Sequence, residues 1–282
     1  MDSGAPDAGE PDASLDASTD ASADASDGGA DARSDAGADS GPDSGADAGF
    51  DAGTDSGFDA GATDDGADAG TGDAGDGIKW IQIPAGKDQM GCSPGDTWCQ
   101  PHEMAAHEID ITQPFWIMET EVTQGQYKWV TGVNPSEFDT CGVNCPVESV
   151  DWTQAKSFCE KVGGRLPTEA EWEHAARAGT TTKFYCGDGS EVGCPADYLW
   201  YSGNSGSQTH PVRQKKANAW GLYDMLGNII EWVEDDWHDN YNISTTPPRP
   251  DDGSAWVYDP RGSGRAFRGG SWQLPIDASR VS

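Results

Sequence analysis

The distribution of Asp, Trp and Cys divides the chain at residue 77 and confines any packed fold to the C-terminal side of that point. Residues 1–77 hold 20 Asp and one Glu against a single Arg, a net charge of −20, while all 12 Trp and all 7 Cys lie beyond them. The other 205 residues carry 28 acids against 16 basic residues, which accounts for the remaining −12 of the total −32. From Asp31 to Asp59 an Asp recurs at every fourth position, with Ala, Gly, Ser and Thr between. Period four matches a helix face, but the frequent Gly lowers helix propensity and Asp facing Asp at i,i+4 repels. After Met1 only Leu15, Phe50 and Phe58 offer large apolar side chains, too few to offset the entropy of ordering. Residues 1–77 are therefore expected to be a disordered linker, spanning roughly 50 Å as a Gly-rich coil. A calcium-binding nonapeptide coil is the rival, but its recurring large apolar residue is missing.

Charge excludes several functions. A chain this acidic repels phosphate backbones and anionic lipid, so no nucleic-acid partner is expected. No apolar stretch approaches the roughly 18 residues that a transmembrane helix needs. Met1 is followed by Asp2, Ser3 and Gly4, without the basic and apolar regions of an export signal. Either the chain is not exported, or a signal or lipid anchor lies upstream of Met1 or has been removed. The cysteines favour export. Six of them fall into close pairs within turn-rich segments, Cys92 with Cys99, Cys141 with Cys145 and Cys186 with Cys194. Zinc sites favour C-x2-C spacing, which is absent, so three local disulfides and an extracytoplasmic protein are expected. Cys159 is left as a small buried hydrophobe.

Residues 78–282 read as a Trp-rich globular domain. Trp80, Ile81 and Ile83 with Pro84 start one strand-like stretch, and Ile109, Ile111, Phe115, Trp116 and Ile117 supply another. A first helix is predicted from about Gln124 to Val130 behind Thr123 as N-cap. A second follows Asp151, with Ala155, Phe158, Cys159 and Val162 on one face and Gly163–Gly164 as its end. A third follows Pro167, with Thr168 and Glu171 as a capping box and Gly179 as its stop. Beyond Gly179 neither period dominates. Of the five His, His102 and His107 read as surface loop residues and His174 as a helix-surface residue. His210 is expected to satisfy a loop backbone, and His238, amid Glu234, Asp235, Asp236 and Asp239, to sit on a solvated acidic face. A monomer is expected.

Several motifs occur in one order: Met90-Gly91, Glu121-Val-Thr123, Ser149-Val-Asp-Trp152, RLPTEAEWE from Arg165, NAWGLYDMLGNIIEW from Asn218 and RGGSW from Arg268. Together they resemble the formylglycine-generating enzyme family, the sulfatase-modifying-factor domain. The resemblance implies a single irregular α+β domain, related to the C-type-lectin fold, with little regular secondary structure and bound calcium. It also implies a longer C-terminal end, so the domain is expected to be truncated there. The family's copper oxidases place two cysteines after the motif, as GGS[YW]-x-C-x4-C. Those positions are Leu274 and Ser279 here, so no catalytic residue is assigned. Thiolates suit Cu(I) because both are soft, and without them copper chemistry is not expected. The iron-dependent branch needs a His-rich site, and no two His here stand at i,i+4, which leaves iron unassigned. The resemblance places structural calcium on Asp224, the carbonyls of Gly227 and Ile229, and the carboxylate of Glu231.

The expected function is an extracytoplasmic domain of this family on a flexible acidic stalk. It lacks the copper cysteine pair and serves as a recognition module for a protein or small-molecule ligand of unknown identity, or as a non-copper variant. The alternative is a metal-dependent oxidase, formylglycine-generating or non-haem-iron, whose site is completed by residues beyond Ser282.

Overall fold

Among the described residues, six short strands form three separate antiparallel ribbons instead of one sheet. In the computed structural model, which describes residues 77–242 and 245–282, β1 (Trp80–Ile83) pairs with β4 (Phe115–Met118). β2 (Gly86–Met90) pairs with β3 (His107–Ile111), and β5 (Glu231–Asp236) with β6 (Arg265–Arg268) across an irregularity between Trp232 and Asp236. Except for Gly77, the linker expected over residues 1–77 lies outside the described residues. The apolar run from Ile109 to Ile117 is two strands, not one. Pro114, which cannot donate to a ladder, sits in the break. Ile109 and Ile111 consequently pack with Met90, while Phe115 and Ile117 reach the main core.

Each helix begins at a complete capping box. α1 (Gln124–Thr131) starts at Thr123, α2 (Trp152–Lys161) at Asp151 and α3 (Glu169–Arg177) at Thr168. In each the cap side chain accepts the third residue's N–H and that residue's side chain returns the bond, satisfying two otherwise orphaned donors. α3 ends one residue before the expected Gly179, because Ala178 itself adopts the left-handed conformation at φ 45°. Asn218 closes that end, its side-chain amide donating to the carbonyls of Ala175 (2.8 Å) and Ala176 (3.2 Å).

α3 is the hub of the core. Eight of its nine residues are buried, so it has no solvent face, and the expectation that His174 lies on the surface is wrong. Its imidazole is 4% exposed, 3.3 Å from Asp88 and 3.1 Å from the Pro84 carbonyl, because β2 covers that side. Trp172, Ala175 and Ala176 pack with Leu222, Leu226, Val233 and Ala266. Glu173, fully buried, accepts from Gly91 N–H (2.8 Å) and from Arg177 (2.6 Å), and also pairs with Arg268. The last residue of RLPTEAEWE and the first of RGGSW thus meet as one buried ion network.

The three disulfides join the expected partners, Cys92 to Cys99, Cys141 to Cys145 and Cys186 to Cys194, and Cys159 is a free thiol. His238 also departs from expectation. It is buried and stacked 3.6 Å from Trp256, with Tyr258 against it at 4.5 Å, and neighbouring Asp235 and Asp236 are buried too. Asp235 accepts the N–H groups of Trp256 and Glu169, and Asp236 pairs with Arg261 and Arg265, so these acids brace loops instead of facing solvent. His102 and His107 are half-buried against Trp237 and Tyr241. His210 behaves as expected, with Nε2 2.7 Å from the Ser205 carbonyl. No helix among the described residues is long and apolar enough to cross a membrane.

Candidate ligand cleft and calcium loop

The motif NAWGLYDMLGNIIEW folds as a loop with unusual backbone demands. Asp224, Gly227 and Asn228 all adopt positive φ, 58°, 79° and 57°. At Gly227 this is compounded by close approach, since a Cβ there would stand 2.2 Å from the Trp200 carbonyl oxygen. Only Gly fits. Asn228 locks the loop from both ends of its amide, accepting from His210 N–H (3.0 Å) and donating to Glu121 (2.7 Å). Glu121 completes the brace by accepting the Ile229 N–H at 3.0 Å. Alternate carbonyls can therefore turn to the same side.

All four expected calcium ligands belong to this loop or the strand that leaves it, and each keeps an oxygen without a hydrogen-bond donor among the described residues. Asp224 accepts the Arg213 N–H through Oδ2 (2.7 Å), leaving Oδ1. Glu231 accepts the Trp172 indole N–H through Oε2 (3.2 Å), leaving Oε1. The carbonyls of Gly227 and Ile229 accept no bond from the described residues. The electrostatics also ask for a cation. Burial raises Asp224 to about 6, and burial together with the Asp224 charge raises Glu231 to about 8. Glu121 is pushed well above the usual carboxylate range by burial and by Asp224 and Glu231. Three carboxylates sharing one buried region are costly unless a counter-charge joins them. Among the described residues no three His, Cys, Asp or Glu side chains form a metal cluster by themselves. A hard oxygen set that is half carbonyl suits calcium. Glu121 is the member of this group that sequence reasoning misses, because nothing local in Glu-Val-Thr signals burial against a segment 107 residues away.

Beside this loop lies a cleft of about 960 Å³. Its walls are β4, residues 162–167 after α2, residues 229–232 and residues 271–274. Trp116, Ile230 and Phe267 stand exposed on it, and Trp232 meets Phe267 edge-on at 6.1 Å. Ser271 is 5% exposed, and its hydroxyl has no partner among the described residues. Cys159 lines the cleft as well, with burial raising its thiol to about 11, so it is not a ready thiolate.

The two positions aligned with the copper cysteines have different surroundings. Leu274 lines the cleft, with its N–H bonded to the Ser271 carbonyl at 3.1 Å. Ser279 is fully buried, packed so closely on Gly270 that a Cβ there would come within 2.3 Å of its hydroxyl. An apolar side chain and a buried hydroxyl provide no soft ligand, so the residues present do not fit Cu(I).

Comparison with known proteins places this geometry. Residues 69–282 match the Sulfatase-modifying factor enzyme 1-like domain. The chain is 31% identical over 224 residues to the chaperone protein LppX of Paenibacillus barcinonensis, covering 60% of this chain and 72% of that one. It is 40% identical over 140 residues to the serine/threonine-protein kinase pkn1 of Chlamydia caviae, covering 49% of this chain and 21% of the kinase. A formylglycine-generating enzyme of Thermomonospora curvata is 33% identical over 174 residues, covering 56% of this chain and 53% of the enzyme. The chain thus spans about a fifth of the kinase and about half of the enzyme. Among solved structures, Treponema denticola variable protein 1 superposes with a TM-score of 0.60 at 32% identity, over 72% of this chain and 87% of that one. The match across most of the chain, including every motif that builds the cleft and the loop, shows that it belongs to the sulfatase-modifying factor enzyme 1-like domain family.

Proposed function

We propose that this protein is an extracytoplasmic recognition domain of its family, held on an acidic stalk and stabilised by calcium, whose cleft binds a ligand without copper chemistry. The observation that carries the reading is Leu274. An apolar side chain lines the cleft where the copper oxidases of the family carry a thiolate, and the second position is a buried serine. Three disulfides support an oxidising compartment. The relatives are named as a kinase of which the match covers a fifth, a chaperone and a formylglycine-generating enzyme, so no single role comes with the fold and activity must be argued from the cleft. The chaperone name favours polypeptide recognition. Calcium would be held by Asp224, Glu231 and the carbonyls of Gly227 and Ile229, where it neutralises buried charge and fixes one wall of the cleft.

The test is chemical. The purified protein should fail to compete for Cu(I) with a bidentate chelator, and should leave a Cys-x-Pro-x-Arg peptide unchanged by mass spectrometry under oxygen and copper. Conversion of the cysteine to formylglycine would overturn the reading.

A further inference from the structure

Away from the cleft, residues 245–262 form a strap without helix or strand that lies over β3 and the start of α3. Four of them are Pro, which has no N–H to donate, so few main-chain bonds tie the strap down. Asp110 N–H, on the edge of β3 away from β2, donates to the Asp251 carbonyl at 2.8 Å. Thr168, the cap of α3, donates its hydroxyl to the Gly253 carbonyl at 2.8 Å. Trp256 is the strap's one buried side chain, and it belongs to the cluster of Met90, Ile109, Ile111 and Ala170. At the far end Arg261 pairs with Glu234 and Asp236.

Two imidazoles face this strap, and each is fixed in one tautomer. His238 stacks on Trp256 and Tyr258, with Nε2 3.3 Å from the Trp256 carbonyl. A carbonyl only accepts, so Nε2 carries the proton and Nδ1 is a bare lone pair. That Nδ1 is shielded from solvent and has no partner among the described residues. His107 repeats the arrangement: its ring meets Tyr241 at 5.0 Å, Nδ1 is 3.3 Å from the Ala105 carbonyl, and Nε2 is bare, shielded and partnerless there too. Protonation would turn each bare nitrogen into a charged donor with nothing to bond. The surrounding charges do not relieve this. Burial, then the Arg249 charge, lowers His107 against the pull of Glu173 and Asp251. Burial lowers His238 against the Trp256 carbonyl, Asp236 and Asp239. Asp236 is already held by Arg261, Arg265 and the Tyr258 N–H. Asp235, which accepts the Trp256 N–H, takes its own proton at about 7. Glu169, raised by burial, accepts the Tyr241 hydroxyl. His102, against Trp237, has no shielded bare nitrogen of this kind. We propose that residues 245–262 are an acid-released strap: protonation of His238 and His107 frees it from β3 and α3 while the rest of the domain stays folded, uncovering the β3 edge, Ile111 and Ala170. Closure is undisturbed above the ordinary imidazole value of 6.5 and is lost as pH falls through it toward the depressed values of the closed form. No residue of the strap lines the cleft, so the inference is independent of the recognition reading.

Hydrogen exchange read by mass spectrometry at about pH 7.5 and about pH 5, each rate normalised to intrinsic exchange at that pH, tests the strap directly. Strap amides and the Asp110 amide should lose about tenfold or more of their protection at the lower pH, because one unmet buried donor shifts an equilibrium by close to that factor. Amides of α3 should keep theirs. The double variant His107→Phe, His238→Phe retains the stacked rings and takes no proton, so its strap should stay protected at both values. His238→Phe alone should show a loss between those of the wild type and the double variant, and α3 protection at the higher pH reports that each variant is folded. Equal strap protection of the wild type at both pH values would overturn the proposal. So would a full acid loss that persists in the folded Phe variants, or α3 losing protection in step with the strap, which is global unfolding.

Discussion

Glu231→Gln should change stability in opposite directions with and without calcium. In the wild type, one site filled at 100 times its Kd adds about 2.7 kcal/mol. For a folded unit near 200 residues, each kcal/mol moves the midpoint roughly 2–4 °C, so excess calcium should raise Tm by roughly 5–11 °C. With chelator the balance reverses. Glu231 has a folded pKa of about 8, above its unfolded value of 4.5. Its contribution is fully present below the unfolded value and is lost as pH rises through the folded one. At pH 7 most of that loss has occurred, a cost of about 3 kcal/mol. A neutral Gln carries no such cost and can still accept the Trp172 N–H. The variant should therefore melt above the wild type in chelator and gain little from calcium. Scanning calorimetry at pH 7, with excess calcium or with chelator, reads both effects. A full calcium shift in the variant would remove Glu231 from the site. A variant that melts several degrees below wild type in chelator would refute the charge-burial argument.

Thiol counting on denatured, unreduced protein should find one thiol, from Cys159, and the native protein should react slowly at pH 8 because burial holds that thiol near 11; finding six or seven thiols would sink the disulfide and export readings. Arg268→Met should lower stability by about 3 kcal/mol in urea titrations, because it takes one of two guanidiniums from buried Glu173, which keeps Arg177, and the ion-pair partner from Glu169, whereas Lys87→Met at the exposed Glu108 pair should leave the urea midpoint where it was. Burial first, then the Glu169 charge, raises Asp235 to about 7. Its stabilisation is present below about pH 4 and lost as pH rises through about 7, so the wild type should gain stability relative to Asp235→Asn between pH 7.5 and 5.5, and parallel pH profiles would contradict this.

The three helix starts were legible because a capping box is local chemistry, a Ser, Thr or Asp with a Gln or Glu three residues on. Thr123, Asp151 and Thr168 carry their helices whatever surrounds them. Short cysteine loops were legible for the same reason, since separations of seven, four and eight residues in turn-rich chain bring partners together without help from the fold. The ordered motifs carry the family signature without any geometry, and the Gly227 turn could be read from the residue itself.

Burial could not be read in this way. His174 and His238 sit in polar local sequence, yet both are interior, because what covers them, β2 in one case and Trp256 with Tyr258 in the other, comes from distant segments. Glu121 joins the loop from Asp224 to Glu231 across 107 residues, and Arg268 reaches Glu173 across 95. Sequence alone determined the local pieces, their caps, crosslinks and family, because those depend on neighbours along the chain. Only the tertiary structure decided which charges are buried together and which residues line the cleft, because both depend on packing between segments far apart in sequence.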